Sequence, residues 1–161
     1  MRAATLLFVA VFALASPAQA QAPADFSGTW KLDLSRSDSA AQAVSSGPVT
    51  VEIVQSATQI QIVTTTTRGS STVTYALSSS EEPALANATG PPTARWQNES
   101  LLTNALRDVR GQSVTVQQSR RLSADGNEMV VESIVNVQHG YTATGAQTYG
   151  ASRDVFVRAA R

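Results

Sequence analysis

The chain has no cysteine and one histidine, His139. Without cysteine there are no disulfides, no thiolate metal sites and no lipid-modified cysteine at a processed N-terminus. With a single histidine as well, no transition-metal centre is expected. Aromatic residues make up only 6% of the chain, which leaves few anchors for a tight protein interface. Lysine is almost missing too, since every basic residue except Lys31 is arginine. Charge of one sign is also lacking: 12 basic residues face 12 acidic ones. A near-neutral surface has no general attraction for nucleic acid or anionic lipid, and no nucleic-acid partner is expected. There are no heptads, no long helical periodicity and no fixed repeat.

What is present begins with a leader pattern. Arg2 supplies a positive start, Ala3 to Ala15 an apolar run, and Ala18-Gln19-Ala20 a small-residue cleavage site. The run is shorter than the ~20 residues a membrane-spanning helix needs, and Ser16-Pro17 breaks it. These features predict a signal peptide over residues 1–20, cleavage after Ala20, and export to the periplasm or beyond with no span retained. The remainder, 21–161, has the length of one domain with its own core and is expected to be a monomer.

Past the leader, period-2 alternation dominates. In Phe26 to Leu34 the residues Phe26, Gly28, Trp30, Leu32 and Leu34 share one face, the pattern of a half-buried strand. Ser35 to Gly47 reads either as a short helix capped near Ser37 or Asp38 or as a loop. Val49, Val51 and Ile53, then Ile60 and Ile62, form a hairpin around Gln55 to Thr58. Thr64 to Thr67, a turn at Arg68-Gly69-Ser70, and Val73, Tyr75 and Leu77 extend it to a three-stranded meander.

Ser78 to Pro92 holds three prolines and reads as a long loop. Strands are predicted at Thr93 to Gln97, Leu101 to Val109, Gln112 to Leu122 and Glu128 to Val137. Gln97-Asn98-Glu99 is read as a tight turn, and Asp125-Gly126 as the turn of the last hairpin. His139 to Ala151 is read as a loop or weakly paired edge, and Arg153 to Arg158 as the closing strand. Eight to ten short strands with regular turns indicate an all-β sandwich or a closed barrel.

The opening Phe26-Ser27-Gly28-Thr29-Trp30-Lys31-Leu32 resembles the first strand of the calycin group, the lipocalins and intracellular fatty-acid-binding proteins. It also looks like small exported bacterial lipocalin-like proteins with a Ser-x-Asp-Gly hairpin near the C-terminus, here Ser123-Ala124-Asp125-Gly126. The short Ser35 to Gly47 segment favours that exported group. The resemblance implies an antiparallel up-and-down barrel in which Trp30 plugs the closed end, Gly28 gives the backbone room, and a basic residue of the last strand stacks on the indole. Arg158 is the first candidate for that partner and Arg153 the second. Ser152 to Arg158 also resembles the closing strand of the fatty-acid binders. Val155 and Phe156 bring no hydroxyl to hold a carboxylate there.

No catalytic constellation stands out, so no enzyme and no cofactor are expected. The chain has no Gly-x-Ser-x-Gly elbow beside His139 and no phosphate loop. Glu81-Glu82 sits in the long loop, where solvated acids are the common outcome. Arg120 is read as inward-facing with Val114, Val116 and Leu122. It needs either an ion pair, with Glu132 or Asp108, or an anionic ligand. Two readings of function follow. One is a barrel holding a small apolar or amphipathic molecule against Tyr75, Leu77, Trp96, Val116, Arg120 and Val131. The other is a packed barrel acting through its loops as an envelope-associated structural, interaction or inhibitor protein. An outer-membrane barrel is disfavoured, because one face of most strands is Thr, Gln, Ser and Arg and aromatic girdles are missing.

Overall fold

A computed structural model describes residues 23–38, 47–78, 91–109, 112–137 and 147–160. The leader, Glu81-Glu82 and His139 lie outside the described residues. Nine strands run in chain order: β1 (Gly28–Leu32), β2 (Thr50–Gln55), β3 (Gln59–Thr66), β4 (Gly69–Leu77), β5 (Thr93–Gln97), β6 (Ser100–Val109), β7 (Gln112–Leu122), β8 (Glu128–Val137) and β9 (Gln147–Arg158). Each pairs with the next, and β9 returns to β1 to close a barrel.

Closure with an odd number of strands has a geometric consequence. If all neighbours were antiparallel, β1 and β9 would run the same way; they are antiparallel, with Trp30 opposite Arg158. One pair must therefore be parallel, and it is β4 with β5, joined at only Ala76 to Thr93 and Leu77 to Ala94. This corrects the wholly antiparallel expectation. The segment 78–92 between them has the dozen or more residues that a parallel connection requires.

The core follows the alternation. Trp30, Val51, Ile53, Ile60, Ile62 and Tyr75 are buried, as are Leu101, Met129, Val131 and Phe156. Leu34, expected on the apolar face of the first strand, is instead 47% exposed. The strand stops at Leu32 because Asp33 makes a turn: its carboxylate accepts from the Ser35 amide and hydroxyl and from Arg36 Nε. The segment then continues along the edge of β9 that β1 pairs with, where the Ser37 hydroxyl accepts from the Val155 amide at 2.9 Å and Asp38 accepts from the Arg153 amide. Asp38 is helical; the rest of that candidate helix is outside the described residues.

The last strand is longer than expected. It starts at Gln147, six residues before Arg153, with an irregular register near Ile134 to Asn136. Its first half carries no apolar alternation, and β8 supplies backbone partners whatever the side chains are. The β5–β6 turn puts Asn98 at φ 54°, and the β7–β8 turn puts Gly126 at φ 69°. Both are left-handed positions of the kind Asn and Gly tolerate.

Candidate functional site

One end of the barrel is sealed. Trp30 is fully buried, and its Nε1 donates to the Phe26 carbonyl at 2.9 Å. The Arg158 guanidinium carbon lies 4.1 Å from the Trp30 ring centroid. Arg158 Nη1 donates to the Ser27 carbonyl at 2.7 Å and Nε to the Gly126 carbonyl at 2.9 Å, tying two chain ends across the barrel floor. Gln55 clamps the incoming segment, accepting from the Phe26 amide and donating to the Ala24 carbonyl.

Above this floor lies a cavity of about 250 Å³. Its apolar wall includes Val51, Ile62, Tyr75, Met129, Val131 and Phe156, and its polar groups include Arg107, Gln118, Arg120 and Asp154. Strand pairing explains the convergence. Leu101, Arg120, Val131 and Asp154 form one row across β6 to β9, and Thr103, Gln118 and Ser133 form the next. Inward side chains two residues apart along each strand therefore meet in a polar belt.

Arg120 lies within that belt at 5% exposure. Its Nη1 donates to Thr103 Oγ1 at 2.7 Å and its Nη2 to Gln118 Oε1. Gln118 Nε2 in turn donates to Ser133 Oγ at 3.0 Å, which orients the amide. Burial pushes the Arg120 guanidinium down to about 10; the nearby Tyr75 hydroxyl works against that and Arg107 works with it. Arg120 remains a cation at neutral pH. Glu132 is exposed on the outer face, in register with Ser119 and Arg153, and the Asp108 side chain is outside the described residues.

Of the residues singled out in the sequence, Tyr75, Val116, Arg120 and Val131 come together on this cavity. Leu77 and Trp96 do not line it. Leu77 packs against the core, and Trp96 lies 5.9 Å, centroid to centroid, from Phe26. Trp96 faces a separate, wide groove with Ala24, Arg121, Leu122 and Gly126. β5 crosses low on the barrel, level with the end of β4, which carries Trp96 below the cavity. Arg107, Gln118 and Asp154 were not singled out. Parity carries the signal for them, since Arg107 follows Leu101, Thr103 and Ala105 at steps of two, and Asp154 precedes Phe156 by two. Among the described residues no group of three or more His, Asp or Glu side chains is placed to hold a metal ion.

A sealed floor, a closed nine-stranded wall and an interior cavity define a calycin-type barrel. No protein-family model matches the chain, and no curated protein is similar to it in sequence. Among solved structures, apo Caenorhabditis elegans lipid binding protein 8 is similar over 83% of this chain and 95% of its own, at 12% identity and a TM-score of 0.53. The fluorescent protein UnaG is similar over 83% of this chain and 97% of its own, at 16% identity and a TM-score of 0.48. At these identities the likeness is one of fold.

Proposed function

We propose that this protein is a binding module, not an enzyme, that holds one small amphipathic molecule inside the barrel, its apolar body against Tyr75, Val116 and Val131 and its acidic head at Arg120. The observation that carries this reading is Arg120 itself: a guanidinium at 5% exposure whose hydrogen bonds, among the described residues, go to neutral oxygens. Burying a cation is costly even with Asp154 on the same cavity, and an anionic head beside the guanidinium offsets that cost. The name of lipid binding protein 8 supports an apolar ligand for a barrel of this shape.

The same proposal places the mature chain outside the cytoplasm, as a single domain from residue 21 onward, because residues 1–20 carry the leader pattern. The second reading, a barrel acting through its loops, draws on the groove of about 1190 Å³ beside Trp96, Arg121 and Leu122. The test is native mass spectrometry of the protein purified from its own host without detergent. A retained small molecule, released on denaturation, supports the binder, and the intact mass reports whether residues 1–20 are gone. An empty protein that also fails to bind added amphiphiles shifts the reading to the loops.

A further inference from the structure

A barrel hides its strand edges only where each strand is paired along its whole length, and β4 is not. It pairs with β3 from Gly69 to Ala76, but with β5 at Ala76 and Leu77 alone. The Ala76 and Ser78 amides donate toward β5, to the Pro92 and Ala94 carbonyls, and the Leu77 amide donates back to Thr58. Backbone groups alternate in direction along a strand, so the amides and carbonyls of Ser70, Thr72 and Thr74 point the same way as those of Ala76. β5 begins at Thr93, level with Ala76, and does not reach them. Gly69 to Thr72 and Thr74 are exposed, so this edge is open to solvent.

The edge of β9 is treated differently. Where β1 stops at Leu32, the Val155 and Arg153 amides of β9 are taken by the Ser37 hydroxyl and the Asp38 carboxylate. The β4 edge has no such cover among the described residues, and it lacks the usual guards as well. Its outward side chains, Ser70, Thr72 and Thr74, are short and uncharged, and its register with β3 is regular. No lysine, proline or bulge turns a neighbouring strand away.

The spacing of these residues identifies the occupant. Turned by half a rotation about an axis at Thr72, the edge meets itself. Thr72 then faces the partner's Thr72, and Ser70 faces the partner's Thr74. Every facing pair is of the hydrogen-bonded kind, which gives roughly six backbone bonds, two for each pair, and leaves no donor or acceptor of these residues over. Threonine and serine pairs across strands are favourable. With 12 basic and 12 acidic residues, the chain has no net charge to keep copies apart.

We propose that, whatever the cavity holds, two copies of this chain join β4 to β4 about this two-fold axis, forming one sheet through both barrels. The contact is mostly backbone and belongs to the weak end of interface sizes, below about 1,200 Å². The monomer expected from the sequence is then the dilute form.

Sedimentation equilibrium of the purified protein from about 1 µM to about 1 mM is expected to show the mass rising from one chain toward two. Thr72→Lys sets like charges face to face, and Thr72→Pro removes the central amide. Each is expected to weaken association at least tenfold while melting near the parent, because the side chain is exposed and the amide faces away from β3. Added salt is expected to restore part of the association in Thr72→Lys and to leave the parent's unchanged. Because the chain has no cysteine, single substitutions report the register. Facing Cα atoms of a hydrogen-bonded pair lie about 5.5 Å apart, within disulfide reach. Thr72→Cys is expected to cross-link on mild oxidation. Ser70→Cys alone is expected to do so no faster than Val54→Cys, a control on the exposed face of β2, and Ser70→Cys mixed with Thr74→Cys as readily as Thr72→Cys.

A single-chain mass across the whole range, or Thr72→Cys cross-linking no faster than Val54→Cys, overturns the proposal. A dimer that both Thr72→Lys and Thr72→Pro leave intact lies elsewhere on the surface and overturns it as well. Association through Thr72 with a different host protein, in place of a second copy, overturns self-pairing as the use of this edge.

Discussion

Arg158 packs its guanidinium 4.1 Å from the Trp30 ring centroid, and the contact joins the last strand to the first where the barrel closes. Trp30 is fully buried and its indole nitrogen is satisfied by the Phe26 carbonyl. Truncating Trp30 to alanine removes the floor of the core and the platform under a cation together. Trp30→Ala is expected to cost about 3–5 kcal/mol, as buried aromatic truncations do. Urea denaturation followed by circular dichroism measures this. A midpoint near that of the parent protein would show that the floor is held by the strand ends alone.

Gly28 belongs to the same arrangement. It has φ +129°, and a Cβ built there would stand 2.8 Å from Arg158 Nη1. Two penalties follow for Gly28→Ala: backbone strain at positive φ, about 1–3 kcal/mol, and displacement of Arg158 from its two carbonyl acceptors. A double-mutant cycle separates them. In an Arg158→Ala background only the strain remains, so Gly28→Ala is expected to cost less there than in the parent, with a coupling of roughly 0.5–2 kcal/mol. Additive costs would mean that the arginine simply moves aside.

Much of this arrangement is legible in the sequence, and the reasons differ from element to element. The alternation of Val49 to Ile53, Ile60 to Ile62 and Val73 to Leu77 gives strand and inward face together, because a half-buried strand has no other way to cover a core. Turn chemistry places Asn98 and Gly126 at left-handed positions by steric necessity. The start of β9 at Gln147 was hidden because backbone pairing with β8 leaves no mark on side-chain composition. The parallel β4–β5 pair was hidden too, since strand direction is a property of closure and not of any one segment. For the site, inward parity found Arg120, Val116 and Val131. It placed Trp96 in the cavity because parity reports the face of a residue and not its height on the barrel.

Two exposed carboxylates, Asp33 and Asp125, are expected to give the fold a modest, solvent-screened sensitivity to acid. The Asp33 carboxyl is lowered from 3.8 to about 2, first by hydrogen bonds from Ser35 and then by Arg36. Asp125 is lowered equally, first by Ser123 and then by Asn127, within the β7–β8 turn. A carboxylate with a depressed folded pKa contributes stability that is fully present above its unfolded value and is lost as pH falls through its folded value. The melting temperature is therefore expected to fall between about pH 4 and pH 2. In Asp33→Asn and Asp125→Asn that fall is expected to be smaller. Thermal melts at four pH values across this window check it, and variants that lose stability as steeply as the parent would assign the acid sensitivity to other groups.

At Arg120 stability and the proposed binding are expected to oppose each other. In the ligand-free barrel it is a desolvated cation whose described partners are the neutral oxygens of Thr103 and Gln118. Met has nearly the same length and no charge to desolvate, and replacing buried charge by well-packed apolar groups is often neutral or stabilising by about 1–4 kcal/mol. The variant leaves Thr103 Oγ1 and Gln118 Oε1 without the Arg120 donor, while the Gln118 bond to Ser133 is expected to persist and hold the belt. Arg120→Met is therefore expected to melt at or above the parent's temperature while its affinity for an anionic amphiphile falls at least tenfold, the loss of a charged hydrogen bond of about 1.5–3 kcal/mol. Differential scanning calorimetry with and without octanoate reads both quantities in one experiment. A variant that melts well below the parent would instead identify Arg120 as a structural tie of the β6–β7–β8 wall, its charge balanced by the protein and not by a ligand.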